Sequence, residues 1–166
     1  MNSFDLRDIE IWSKTLNRVS FKTPATRAGV EPVKRAEEGS VRLNATATCP
    51  DGTQVTIAVV FGRADALALH DRIMKNLLGD VKSRVTIIRP ILASSVEAWV
   101  DGKRQIEAGR AEFQMEANPD RWRVIGPHPF AKEGQDVWSL GFSFDDANAR
   151  VLAELLRITP FQAPGR

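Results

Sequence analysis

Trp99, Lys103 and Arg104 stand around the dipeptide Asp101-Gly102. An indole and two cations at a tight turn can do chemistry that needs no catalytic group. The ring face takes a base, at about 1–3 kcal/mol per base, while the cations track the phosphates of a single strand. The same mixture recurs elsewhere. Phe61 and Arg63 flank Gly62, Lys82, Arg84 and Arg89 flank the next apolar run, and Arg18 and Lys22 lie in the cation-studded first segment. Each residue also has a plainer reading. Phe61 continues the apolar face of Val55, Ile57 and Val59, which suits core packing as well as stacking. Trp99 shares its face with Ser95 and Glu97, which argues for exposure; stacking and an ordinary surface position both remain open. Lys103 and Arg104 also fit a solvated turn. Trp122 and Trp138 read as core or subunit contacts, and Trp12 fits either role.

Enzymatic constellations are missing. The two histidines, His70 and His128, belong to no HExxH or other metal-ligand spacing. There is no GxSxG elbow, no GxxxxGK[ST] loop, and no GxGxxG after a strand. The single cysteine, Cys49, excludes an intramolecular disulfide framework and reads as a small buried residue at a strand end. No catalytic residue, metal or cofactor is expected, and the chain is read as a non-enzyme.

The totals allow one domain-sized core in 166 residues. A net charge of +2 permits nucleic-acid binding through a local patch without demanding it. The start, MNSFDLRDIE, is charged where a signal peptide needs an apolar run, and no apolar run approaches a membrane span. A cytoplasmic protein is expected.

The elements that must position these residues centre on residues 53–78. Val55, Ile57, Val59 and Phe61 alternate as a strand, Gly62 breaks it, and a helix follows to Leu78. Leu67, Asp71, Met74 and Leu78 fall on one stripe, with Ala66, Leu69, Ile73 and Leu77 beside it, an arc wide enough to face a core. Residues 41–48 alternate likewise, and Pro50-Asp51-Gly52 is a turn signal, so residues 41–61 read as an antiparallel hairpin. Strands are expected at 85–88, 95–100 and 105–116, with Pro90 marking an edge, bulge or bend and Asp101-Gly102 a hairpin turn. Residues 5–19 carry both strand-like and helical spacing and are read as extended through residue 23. Residues 24–39, with two prolines, two glycines and dense charge, read as a loop. Trp138, Leu140, Phe142 and Phe144 alternate as a strand. A helix then opens at Asp145-Asp146 with Ala147, Val151, Leu155 and Ile158 as its apolar stripe.

The run VTIAVVFGRADALALHDRIMKNLLGD resembles the bacterial and phage single-stranded DNA-binding proteins of the oligonucleotide-binding-fold family. That family carries a V-V-x-F-G-[KR] corner, a short helix, and a strand running out to a long hairpin. Val59, Val60, Phe61, Gly62 and Arg63 form a version of the corner, and VRLNATATC resembles the preceding strand. The resemblance covers residues 5–117. It implies base stacking on Phe61 and on Trp99, and assembly through strand edges into a dimer or tetramer. Three differences stand out. Val55 or its neighbour lies where the family has an early tryptophan, the path from Val85 to Trp99 is longer, and the end ITPFQAPGR is cationic where the family's tail is acidic. The last points to a phage, plasmid or conjugative-element relative.

The expected fold is mainly β: a five-stranded barrel of the oligonucleotide-binding kind with a helix between strands 3 and 4. Residues 1–125 would form the nucleic-acid-binding domain, and residues 126–166 a strand–helix extension packed on it. The expected function is single-stranded DNA binding without strong sequence preference, in replication, recombination or plasmid or phage DNA processing. It would use Phe61, Trp99, Arg63, Lys82, Arg84, Lys103, Arg104, Arg18 and Lys22, and the protein would be a homo-oligomer. The alternative is a protein-interaction module serving a replication, conjugation or phage assembly.

Overall fold

The hairpin with the plainest signals forms as its alternation dictates. β4 (Val41–Thr48) and β5 (Gln54–Phe61) pair antiparallel from Val41↔Phe61 to Thr48↔Gln54. Gly52 takes a positive φ of 90° in the connecting turn, where a side chain would be strained. The structure is a computed structural model that describes residues 3–13, 25–33, 39–79, 87–118, 121–127 and 138–159. β5 runs into α1 (Arg63–Leu78) through Gly62. The Asp65 carboxylate in the first turn of α1 accepts the Leu92 amide at 2.9 Å and so fixes the helix start against the next strand.

That strand, β6 (Ile87–Val100), is one element where two are expected. Pro90 lies inside it, and the pairing register shifts between Ile87 and Ile91, which accommodates a residue with no amide hydrogen. At its far end Asp101 and Gly102 have φ values of 51° and 79°, the doubly left-handed turn that joins tightly coupled strands. The return is expected as one strand and forms two. β7 (Lys103–Ala108) pairs with Val96–Val100, and β8 (Ala111–Ala117) pairs with Ile87–Ala93, all on β6.

The segment read as a loop contributes a strand. β3 (Ala25–Pro32) pairs with β4 on one side and with β1 (Ser3–Leu6) on the other. Its inward residues include Ala28 and Val30, both at most 1 % exposed. The alternation is real but is written in small side chains around Gly29. The pairing partners decide what local propensity does not.

Among the described residues the strands, with β2 (Asp8–Ser13), β9 (Trp122–Gly126) and β10 (Trp138–Phe144), make a ten-stranded antiparallel sheet in the order β1-β3-β4-β5-β6-β8-β9-β10-β2, with β7 added on β6. Ten strands stand where the expected barrel has five. The five surplus strands are β1, β2, β3, β9 and β10. β10, expected in a separate extension, lies inside the sheet between β9 and β2. The two ends of the path, β1 and β2, are consecutive in the chain. Arg7 alone separates them, and its amide donates to the Ser143 carbonyl at 2.7 Å. The two ends of the open path are therefore joined through the chain at Arg7, with no strand pairing between β1 and β2 among the described residues.

One face of each strand fills the core, including Ile9, Ile11, Leu43, Ile57, Phe113, Trp122 and Phe142, all 0 % exposed. α2 (Asp146–Ile158) packs on α1, where His70 Nδ1 lies 2.8 Å from the Ala153 carbonyl. The buried faces of the helices are rotated from the expected stripes. α1 buries Ala66, Leu69, Ile73 and Asn76 and leaves Leu78 79 % exposed; α2 buries Ala149, Leu152, Ala153, Leu155 and Leu156 and leaves Val151 exposed.

Asp145 caps α2. Its carboxylate accepts the Asn148 backbone amide at 2.9 Å, and the Asn148 side chain donates to it as well. These bonds, the backbone one foremost, hold the Asp145 carboxyl below the usual carboxylate range. Asp145→Ala should cost about 1 kcal/mol of stability in urea unfolding at neutral pH. A depressed carboxyl contributes stability only where it is ionised. The difference between parent and variant should therefore be full above the unfolded-state carboxyl range and vanish as pH falls through the folded-state value. A difference that did not change with pH would contradict the cap.

Candidate nucleic-acid interface

β6 alternates as its sequence demands. Val96, Ala98 and Val100 point into the core, while Ser95, Glu97 and Trp99 lie on the outer face, each partly exposed. Trp99 pairs with Thr56 on β5, which pairs with Thr46 on β4. These directly paired neighbours are short. On the other side Trp99 pairs with Arg104, next to an irregularity in the register. Lys103 follows the turn and is exposed. Two hydrogen bonds tie this turn to the neighbouring hairpin. The Asp101 amide donates to the Gln54 carbonyl at 2.8 Å, and the Gln54 amide donates to the Asp101 carboxylate at 2.9 Å. The indole is thus carried on a braced pair of hairpins, which limits the freedom lost when a ligand settles on it.

The electrostatics are close to balanced. Arg104 Nη2 lies 2.9 Å from Glu107 Oε2, with both side chains about half exposed. Glu107 in turn sits directly across from Glu97 in the β6–β7 register. Lys103 and Arg104 are therefore offset by Asp101, Glu97 and Glu107 within the same hairpin.

Phe61 and Arg63 are not gathered here. Phe61 is 0 % exposed, and its ring meets Phe113 edge-on with centroids 6.0 Å apart. It is a core residue with no open face for a base, which corrects the stacking role. The apolar alternation of β5 carries it inward with Val55, Ile57 and Val59. Arg63 is exposed at the start of α1, where its side chain lies over Gly39. A Cβ on that glycine would come within 2.8 Å of Arg63 Cδ, and its φ of +85° independently disfavours a side chain. Thr56 and Phe61 are five residues apart on β5, a span of about 17 Å. Arg63 therefore sits near the opposite end of the ladder from Trp99. Arg18, Lys22, Lys82 and Arg84 lie outside the described residues.

A second polar group was not legible in the sequence. On the outer face of β2, β10 and β9, the Ser143 hydroxyl donates to Asp8 at 2.6 Å and Arg123 pairs with Glu10. Arg121 lies 4.0 Å from Asp8 and 3.9 Å from Glu10. Gly141 stands between Glu10 and Ile125 in the register, so the Arg123–Glu10 contact crosses β10 where there is no side chain. The alternation in DIEIW and RWRVIG places these charges outward, but only the sheet order pairs them. They neutralise one another and link β2 to β9 across β10. Trp12, on the same face of β2, is partly exposed, whereas Trp122 is fully buried with its Nε1 donating to Asp146 at 2.7 Å. Trp138, 9 % exposed, is in the core.

Among the described residues no cluster of His, Cys, Asp or Glu could hold a metal ion, and no helix is long and apolar enough to cross a membrane. Compared with known proteins, the chain matches no family model, no curated protein and no solved structure.

Proposed function

We propose that the outer face of the β6–β7 hairpin binds single-stranded nucleic acid, DNA in the first instance, by stacking a base on Trp99. The observation that carries this reading is a partly exposed indole on a braced hairpin, with short Thr56 and Thr46 on one side and Arg104 and Lys103 on the other. Such an arrangement tolerates any sequence, because every base has a π-face. In this reading β4–β5, α1 and β6–β7 act as the oligonucleotide-binding unit, and the remaining strands enlarge it. Replication, recombination or plasmid or phage DNA processing would use such an activity.

The test is a titration of oligo-dT over a salt series. Each cation that meets a phosphate contributes about 0.7 to the magnitude of the salt slope on a single strand. Replacing Lys103 and Arg104 by alanine should flatten the slope by about that amount for each cation engaged. A parent protein that binds no oligo-dT at low salt would remove the proposal.

A second reading, a protein-interaction module, is favoured by β7. Among the described residues its one strand partner is β6, which leaves an edge of the kind that accepts an added strand. The charges of Lys103, Arg104 and Glu107 on that edge oppose such pairing, which is why nucleic acid is preferred.

A further inference from the structure

We infer that the cross-strand carboxylates Glu97 and Glu107 set a preference of this face for single strands over duplex. The inference rests on the Trp99 reading above. Like charges directly opposite one another destabilise a strand pair, and β6–β7 places Glu97 against Glu107. Arg104 answers Glu107 at 2.9 Å, and among the described residues no ion pair involves Glu97. Among the described residues one carboxylate is thus left without a cation, on the strand position two residues before the indole.

The two forms of nucleic acid meet this patch differently. A duplex keeps its bases stacked inside and presents both phosphate rows, about one charge per 1.7 Å of axis. To lie on this face it must bring phosphates over Glu97 and Glu107, and it has no free base for Trp99. A single strand can rotate its phosphates towards Lys103 and away from the carboxylates while one base covers the indole. With three carboxylates against two cations between Val96 and Ala108, the face offers little to a ligand that binds by phosphates alone.

The test is fluorescence anisotropy of a labelled oligo-dT and a labelled duplex of equal length, with the parent, Glu97→Gln and Glu107→Gln. Circular dichroism confirms that each variant is folded. For each variant the ratio of single-strand to duplex affinity should fall, up to about fivefold for one exposed charge. Glu107→Gln should have the larger effect, because it also frees Arg104, and its duplex salt slope should steepen by about 0.9. Variants that raise both affinities by the same factor would overturn the inference while leaving the Trp99 reading intact. So would a parent that binds duplex as tightly as oligo-dT. A parent that binds neither ligand would overturn both.

Discussion

Phe61→Ala should lower the free energy of unfolding by about 3–5 kcal/mol. The ring is fully buried where β5 ends, its partners in the ladder are Val41 and Ala93, and Phe113 closes on it edge-to-face with an interplanar angle of 74°. Truncation removes the apolar area and leaves a cavity, and the surroundings cannot collapse freely into it. The β5–Gly62–α1 corner begins at that point, and Asp65 ties α1 to β6. Phe61→Leu refills most of the volume and should cost far less. Urea unfolding of the two variants measures both values. A surface phenylalanine used for stacking would behave in the opposite way. A loss under about 1 kcal/mol for Phe61→Ala, together with weakened oligo-dT binding, would put the ring back at the ligand.

Trp99→Ala should do the reverse. It should weaken oligo-dT binding by about 1–3 kcal/mol, leave the salt slope nearly unchanged, and leave the protein folded. The indole lies on the outer face of β6 beside Thr56, whereas the inward residues on either side, Ala98 and Val100, hold the strand to the core. Stacking and phosphate neutralisation are separate contributions, so removing the ring changes affinity at every salt concentration by a similar factor. A variant that unfolds would make the indole a core residue. One that folds and binds as tightly as the parent would assign the hairpin another role.

Why Trp99 was legible and Phe61 was not follows from the strands that carry them. On β6 the outward positions hold Ser95 and Glu97, so the polar company of the indole declares its face. On β5 Phe61 falls in phase with three apolar residues, and its place at a glycine corner says nothing about which way that corner opens. The hairpin 41–61 was readable to its ends because alternation and turn chemistry agree there. The helices were readable as helices but not by face. Two adjacent apolar stripes run along α1, and only packing against β5, β6 and α2 selects Leu69 and Ile73 over Leu78. β3 stayed hidden because ATRAGVEP has no strand propensity to speak of; β1 and β4 impose the extended form from either side. The Arg123–Glu10 contact joins residues 113 positions apart and depends on β10 lying between β9 and β2. No local pattern encodes that order.

In the proposed reading the indole of Trp99 is the one that meets the ligand, and the chain's four tryptophans allow this to be observed directly. Each indole N–H gives one signal in a proton–nitrogen correlation spectrum, assignable by single Trp→Phe replacements. On addition of oligo-dT at low salt, the Trp99 signal should shift progressively and saturate. Trp122, buried and bonded to Asp146, and Trp138, in the core, should stay in place. A Trp99 signal that does not move while oligo-dT is bound, or one that moves no more than Trp122 and Trp138, would rule out stacking on this indole.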